Sequence, residues 1–344
     1  MSSTPGIRYP LADPPAEGET CEIAPGLLWL RLPLPMALDH VNIYALDDGD
    51  GWTVIDTGLD SRRGRALWQA LLEGPLFGKP LRRVVVTHHH PDHIGLAGWL
   101  IAQGAELIAT RTAWLLARML VLDVQERPTD EQMAFLRAAG LDRAALAQRA
   151  GERPFNFADC VSPLPLGYTR IADGDEITMA GRRWQILTGD GHAPEHATFW
   201  SREDDLVLGG DQLLPSISPN IGVYPTEPGA DPLGEWIASC RRFRSVATDR
   251  HFVLPGHKLP FTGLPIRLDQ MIENHQGALA RLLGHLDRPH RAVDCFPALF
   301  KREIGPETFG LALVETVAHL NHLLRTGAVQ RTMDAGVWLW QRSD

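Results

Sequence analysis

The stretch Thr87-His88-His89-His90-Pro91-Asp92-His93 gathers imidazoles and a carboxylate in the pattern H-x-H-x-D-H. These are the ligand types that hold divalent transition metals. The run Leu-Arg-Arg-Val-Val-Val-Thr before it reads as a buried strand ending at Thr87. Side chains alternate along an extended strand exit, so His88 and His90 face one ion while His89 points away. Asp92 and His93 fall where the chain turns into a helix and face a second ion. The bland alternative is a polar loop in which Asp92 caps that helix. Imidazole nitrogens with one carboxylate suit zinc best, and iron and manganese accept the same set.

Four residues do not fill two ions, so further ligands must come from elsewhere. Gly191-His192-Ala193-Pro194-Glu195-His196 follows the apolar run Arg182–Thr188. Leu208-Gly209-Gly210-Asp211 and Leu254-Pro255-Gly256-His257 likewise close short apolar runs. Each places a metal-capable side chain just past a strand end, with Gly or Pro setting the turn. Taken singly, each also reads as a turn Asp or a capped His; the order behind H-x-H-x-D-H turns them into a ligand series.

The elements that would carry these residues are short strands alternating with helices. Strands are expected at Leu27–Pro33, Val41–Leu46 and Trp52–Asp56. A helix follows from Ser61, with Leu67, Trp68, Leu71 and Leu72 at helical spacing. Residues 94–103 read as a helix and 105–110 as a strand. Strands return after Leu166, a helix covers 232–247, and helices at 266–287 and 307–326 precede a terminal hairpin. The resulting division is an extended lead-in over 1–25, an α/β body over 26–264 with a helical insertion at 111–155, and a C-terminal helical extension over 265–344.

The chain has 344 residues, 44% of them hydrophobic, which excludes a mostly disordered protein. With 33 Lys and Arg against 42 Asp and Glu, the net charge of −9 argues against a generic phosphate-binding surface. Cys21, Cys160, Cys240 and Cys295 lie far apart, without zinc-knuckle spacing or a disulfide framework. No apolar run is long enough to span a bilayer, and the first residues carry no signal-peptide pattern. A cytoplasmic, soluble protein without membrane partners is expected. The oligomeric state is left open, a dimer being one reading.

With these motifs in order, the chain resembles the metallo-β-lactamase-fold hydrolases over about 25–260, counting also Asp56 in Asp-Thr-Gly after a strand. The resemblance implies an α/β, four-layer αβ/βα sandwich with two metals at one edge between its sheets. It assigns His88, His90 and His192 to the first metal, and Asp92, His93 and His257 to the second, with Asp211 bridging. His196 and Asp56 would orient ligands by accepting their remaining N–H groups. The implied reaction is hydrolysis by a metal-bridging hydroxide, with Asp92 passing a proton to the leaving group.

The substrate is less legible. A small-molecule ester, lactone, thioester or β-lactam is the leading reading. Tyr224, in the Pro- and Gly-rich segment after Asp211, is the candidate oxyanion or leaving-group partner. Ser216, Ser218 and Asn220 share that segment, and Arg241, Arg242, Arg244 and Lys258 are candidates for binding a substrate carboxylate. The insertion would form a lid, although Trp114, Leu115, Met119 and Phe135 read more readily as core. The C-terminal piece resembles the winged-helix-like tail of the LACTB2-like subgroup, some relatives of which cut RNA, and a glyoxalase II-like relation is the other subgroup reading. A metal-dependent nuclease or phosphodiesterase is therefore the alternative. Against it, residues 288–344 carry seven Lys and Arg beside six Asp and Glu, which makes no phosphate track. A mononuclear iron persulfide dioxygenase is the reading outside the hydrolases.

Overall fold

The computed structural model describes residues 6–300 and 302–343. The first five residues of the expected lead-in, and positions 301 and 344 of the extension, lie outside the described residues.

Two sheets form the body. The first is built in chain order from β1 (Cys21–Ala24), β2 (Leu27–Pro33), β3 (His40–Asp47), β4 (Trp52–Ile55), β5 (Leu81–Val85), β6 (Glu106–Thr110) and β7 (Thr169–Ile171). The second comprises β8 (Glu176–Met179), β9 (Arg182–Gly189), β10 (His196–Ser201), β11 (Leu206–Gly210) and β12 (Phe252–Pro255), in the order β12-β11-β10-β9-β8. The central strands β3, β4, β10 and β11 are buried on both faces, which is why they read as nearly continuous apolar runs. Trp29, Tyr44, Val85 and Ile108 of the first sheet meet Trp184, Ile186, Phe199 and Leu254 of the second in the central core.

Alternate residues of the same strands face the outer layers. Leu30, Ile43, Val54 and Val84 pack under helices α1 (Arg62–Glu73), α2 (Pro91–Ile94), α3 (Ala97–Ile101) and α4 (Arg111–Leu122). On the other side, Val207 and Val253 pack beneath α7 (Pro232–Val246) and α8 (Leu264–His285). The layer order is helix, sheet, sheet, helix, as the four-layer sandwich requires. Helices α5 (Asp130–Ala138) and α6 (Arg143–Gly151) complete the insertion. The chain ends with α9 (Phe296–Leu299), α10 (Phe309–Arg325) and the hairpin of β13 (Val329–Asp334) and β14 (Val337–Arg342).

Several expectations change. The single helix read over 94–103 is split into α2 and α3 at Gly95 and Leu96. Gly95 approaches the neighbouring backbone so closely that a Cβ would lie 2.5 Å from the Gly58 carbonyl oxygen. The lead-in is not extended to its end, since β1 pairs with β2 from Cys21 onward, and Arg8 bridges Thr262. Strand β7 is regular over only three residues and carries no alternation of its own. The insertion also has a second attachment. Phe135 and Leu141 share a core with Leu282, Val317 and Trp340 of the extension, and the Phe135 and Trp338 rings meet edge to face at 5.8 Å.

Direction decides where the candidate ligands gather. Strands β4, β5 and β6 are parallel, and β11 is parallel to β12. Strands β9 and β11 both run antiparallel to β10 and so share a direction. The exits of β4, β5, β9, β11 and β12 therefore open on one edge. The Ala197 N–H donates to the Thr87 carbonyl at 2.8 Å and ties the two sheets together there.

Candidate metal centre

Asp56 lies beneath the histidine cluster. It is buried just past β4, with a left-handed φ of 64° that turns its carboxylate under the exit of β5. The carboxylate accepts the Thr87 N–H at 2.8 Å, the Thr87 hydroxyl at 2.9 Å and the His93 Nδ1–H at 2.8 Å. Because the Thr87 hydroxyl donates to Asp56, its oxygen accepts from His88 Nδ1–H at 2.9 Å. The proton of His88 is thereby fixed on Nδ1, and its Nε2 carries a bare lone pair.

The same logic fixes three more imidazoles. His93 gives its Nδ1–H to Asp56, His192 gives Nδ1–H to the Asn220 carbonyl at 2.8 Å, and His257 gives Nδ1–H to the His40 carbonyl at 2.8 Å. In the neutral tautomer each presents a bare Nε2 to the same small region. Three sets of donors converge within 4.8 Å: His88, His90 and His192; His88, His93 and Asp211; and Asp92, His93 and His257.

The spacing between donors fits a coordination shell. His90 Nδ1 lies 3.0 Å from His88 Nε2 and from His192 Nε2. Asp211 stands between the sets, with Oδ1 3.4 Å from His93 Nε2 and Oδ2 3.2 Å and 3.6 Å from His257 and His192 Nε2. Asp92 Oδ2 lies 3.3 Å from His257 Nε2 and 3.5 Å from His93 Nε2. Ligands about 2.1 Å from one tetrahedral ion stand about 3.4 Å apart. His93 Nε2 and Asp211 Oδ1 are buried and have no hydrogen-bond partner, a costly state for polar atoms that a cation relieves. The residues fit the binding of divalent metal.

Electrostatics divides the cluster. Burial, reinforced by neighbouring imidazoles, holds His88 and His90 well below the ordinary histidine range, so both stay neutral bases. Burial also opposes charge on His93 and His257, but the carboxylates of Asp211 and Asp92 prevail. His93 is held well above its usual value, and His257 is raised to about 10. Conversely, burial works against the charge of Asp211, and His257 and His93 outweigh it, keeping its carboxyl well below the carboxylate range.

Other sequence candidates sort themselves by position. His89 turns away from the cluster and its ring stacks parallel to Phe157 at 6.2 Å. His196 is fully buried, stacks on the His88 ring at 4.5 Å and accepts the Asp211 N–H at 3.1 Å through Nε2. Tyr224 sits nearly half exposed on the loop after Asp211, its hydroxyl turned back over Gly222. No hydrogen bond joins it to the cluster among the described residues. Arg242 and Arg244 are engaged with Asp173 and Asp269. Lys258 follows His257 directly, and its carbonyl accepts from Arg31 and Asn42 at 2.9 Å.

Some contributors carry no sequence signal. His40 and Asn220 act through backbone carbonyls, and Thr87 acts as a relay between Asp56 and His88. Glu195, an unassigned position within Gly-His-x-x-x-His, accepts the Thr112 N–H at 2.7 Å through its carboxylate and ties this loop to the first turn of α4.

Comparison with known proteins adds an independent line. Residues 36–257 match the profile of the Metallo-beta-lactamase superfamily, and residues 279–343 match that of the Metallo-beta-lactamase-like, C-terminal domain. The chain is 27% identical over 306 residues to a probable metallo-hydrolase, YqjP, of Bacillus subtilis (strain 168), covering 86% of this chain and 91% of that protein. A crystal structure of a beta-lactamase domain protein from Burkholderia ambifaria superposes with a TM-score of 0.88 at 35% identity, covering 98% of this chain and 97% of the other. A hydroxyacylglutathione hydrolase of Xylella fastidiosa (strain M23) is 29% identical over 182 residues, or 53% of this chain and 48% of that protein.

Proposed function

The chain belongs to the metallo-β-lactamase superfamily, and on that premise we propose that it is a dinuclear, zinc-dependent hydrolase of small-molecule esters, lactones, thioesters or β-lactams. The observation that carries this reading is the convergence of bare imidazole nitrogens and two carboxylates on one buried point. The proposed ligands are His88, His90 and His192 for one ion, Asp92, His93 and His257 for the other, and Asp211 for both.

Two bound cations would supply Lewis acidity toward a carbonyl or phosphoryl oxygen and a water ionised near neutral pH. The protein's part is to hold the ligands rigidly and to move a proton. Asp92 suits the second task. Its side chain is 21% exposed against 8% for Asp211, so it is the more accessible of the two carboxylates. Its contacts to His93 and His257 run through Oδ2, which leaves Oδ1 to accept a proton and pass it to the leaving group. Burial resists the Asp92 charge, and the adjoining imidazoles outweigh it, so the carboxyl stays ionised. Tyr224 is the proposed hydroxyl partner for the oxyanion or leaving group, on the strength of its exposure in the loop that follows Asp211.

The relative named hydroxyacylglutathione hydrolase keeps thioesters in this set, although it aligns with only half of the chain. The test is a panel of lactones, thioesters, β-lactams and bis-p-nitrophenyl phosphate, assayed with wild type and the Asp92→Ala variant. Asp92-dependent turnover of a carbonyl substrate supports the proposal. Turnover confined to the phosphodiester would replace it with the phosphodiesterase reading.

A further inference from the structure

The loop between Asp211 and α7 is fastened along one side of α10. The Val223 N–H donates to the Val314 carbonyl at 3.1 Å. Asn220 Nδ2 donates to the Leu311 carbonyl at 3.2 Å and to Glu315 Oε2 at 3.0 Å. Further along, Asn321 Nδ2 donates to the Pro228 and Ala230 carbonyls, and His322 Nδ1 meets the Asp231 carboxylate at 3.0 Å. Positions 311, 315 and 322 recur at helical spacing and so share a face. Gly222 lies so close to this helix that a Cβ would fall 2.8 Å from Val314 Cγ2.

Asn220 is the anchor that matters for chemistry, because its backbone carbonyl takes the Nδ1–H of His192. Its side-chain Oδ1 is buried without a partner, so the bonds to Glu315 and Leu311 are what hold the amide. Glu315 has no salt bridge among the described residues. Burial pushes its carboxyl up to about 7, against the pull of the Asn220 bond and of Arg302. A carboxylate in such a place is expensive to keep, and its side-chain hydrogen bond goes to Asn220.

We propose that Glu315 is a positioning residue of the metal centre: by holding the Asn220 side chain, the C-terminal helix fixes the carbonyl that orients His192. This rests on His192 being a metal ligand. Partners that fix the outer N–H of a ligating imidazole set its tautomer and ring direction, and their loss typically weakens metal binding about 10–100-fold. The extension is then part of the catalytic apparatus.

The experiment compares wild type, Glu315→Ala, Glu315→Gln, Asn220→Ala and Asn321→Ala. Zn2+ affinity is measured by competition with a chromophoric chelator, and the visible spectrum is recorded with Co2+ bound. Glu315→Ala should weaken one ion by about 10–100-fold, shift the Co2+ spectrum and lower kcat more than KM. Asn220→Ala cuts the same link from the loop side and should do likewise, which covers a Glu315→Ala chain that does not fold. Glu315→Gln retains a carbonyl acceptor and should stay within about threefold of wild type. Asn321→Ala removes the hydrogen bonds to the Pro228 and Ala230 carbonyls and the one from Arg331, without touching Asn220, and should leave affinity and spectrum unchanged. Wild-type behaviour in Glu315→Ala or Asn220→Ala, or an equal loss in Asn321→Ala, overturns the proposal. A wild-type chain that takes up no Zn2+ refutes the metal reading itself, and does so before any variant is compared.

Discussion

Asp56→Asn is close to isosteric, and Asn tolerates the left-handed φ of 64° at this position. Its chemistry is nonetheless wrong for the site. Three donors, the Thr87 N–H, the Thr87 hydroxyl and His93 Nδ1–H, converge on two carboxylate oxygens. An amide offers one oxygen, so its NH2 must face one of them. Opposite Thr87 it would meet a backbone N–H that cannot reverse. Opposite His93 the conflict is relieved when the imidazole proton moves from Nδ1 to Nε2. That proton then occupies the lone pair that faces Asp92 and Asp211. The expected loss is about 10–100-fold in affinity for the ion held by Asp92, His93 and His257, or about 1.4–2.7 kcal/mol. The metal-free chain should lose roughly 1.5–3 kcal/mol from the charge-assisted hydrogen bonds, several degrees of melting temperature at this size. Asp56→Ala should cost about 1 kcal/mol more, since alanine resists the left-handed conformation. Chelator competition and the Co2+ spectrum read the first effect, and thermal unfolding with EDTA reads the second. An Asp56→Asn protein with wild-type affinity and spectrum would refute the tautomer argument.

Further predictions test other parts of the structure. Asp211→Ala should abolish hydrolysis and metal content together; full activity in a metal-free variant would end the dinuclear account. Gly210→Ala places a Cβ 2.5 Å from His196 Cε1 at a φ of 49°, which should cost roughly 2–5 kcal/mol; an unchanged melting curve would contradict that packing. Because His257 is raised to about 10 and His93 is also held above its ordinary value, incoming ions must displace their protons. Affinity should rise with pH across the neutral range, and calorimetry in buffers of different protonation enthalpy should find about two protons released per chain; none released would sink this. Burial lowers His275 to about 4, and its Nδ1 pairs with His319 Nε2 at 3.2 Å between α8 and α10. The unfolded chain therefore takes up this proton first as pH falls below about 6.5. Stability present above that pH is lost toward pH 4, on the order of 3 kcal/mol. The gap between urea midpoints at pH 7 and 4.5 should narrow in His275→Met without closing, because burial also lowers His319 and His196 to about 3; an acid slope equal to that of wild type would exclude the pair as its source.

The gathering of the histidine and aspartate loops is legible because metal chemistry restricts residue types and strand periodicity restricts direction. His88 and His90 show this, since alternation along an extended exit places them together and turns His89 toward Phe157. The alternating apolar runs of β2 and β9 likewise announced buried strands. What could not be read is whatever acts through the backbone. The carbonyls of His40 and Asn220 orient the imidazoles of His257 and His192 with atoms that every residue possesses. The role of Glu315 depends on a helix about a hundred residues from Asn220 in sequence, and the attachment of the insertion to the extension depends on Phe135 meeting Trp338. Such contacts are products of tertiary packing and have no local pattern. Substrate choice escapes for a related reason, because Tyr224 lies on a loop whose sequence records turn geometry more clearly than what it faces.

Metal stoichiometry on the chain purified without chelator, coupled to hydrolysis of the best carbonyl substrate, tests the central claim most directly. Two divalent ions per chain, zinc by preference, with activity lost on chelation and restored on metal return, is the predicted result. A chain that hydrolyses without metal, or that holds one iron and consumes oxygen in place of hydrolysing, would contradict it.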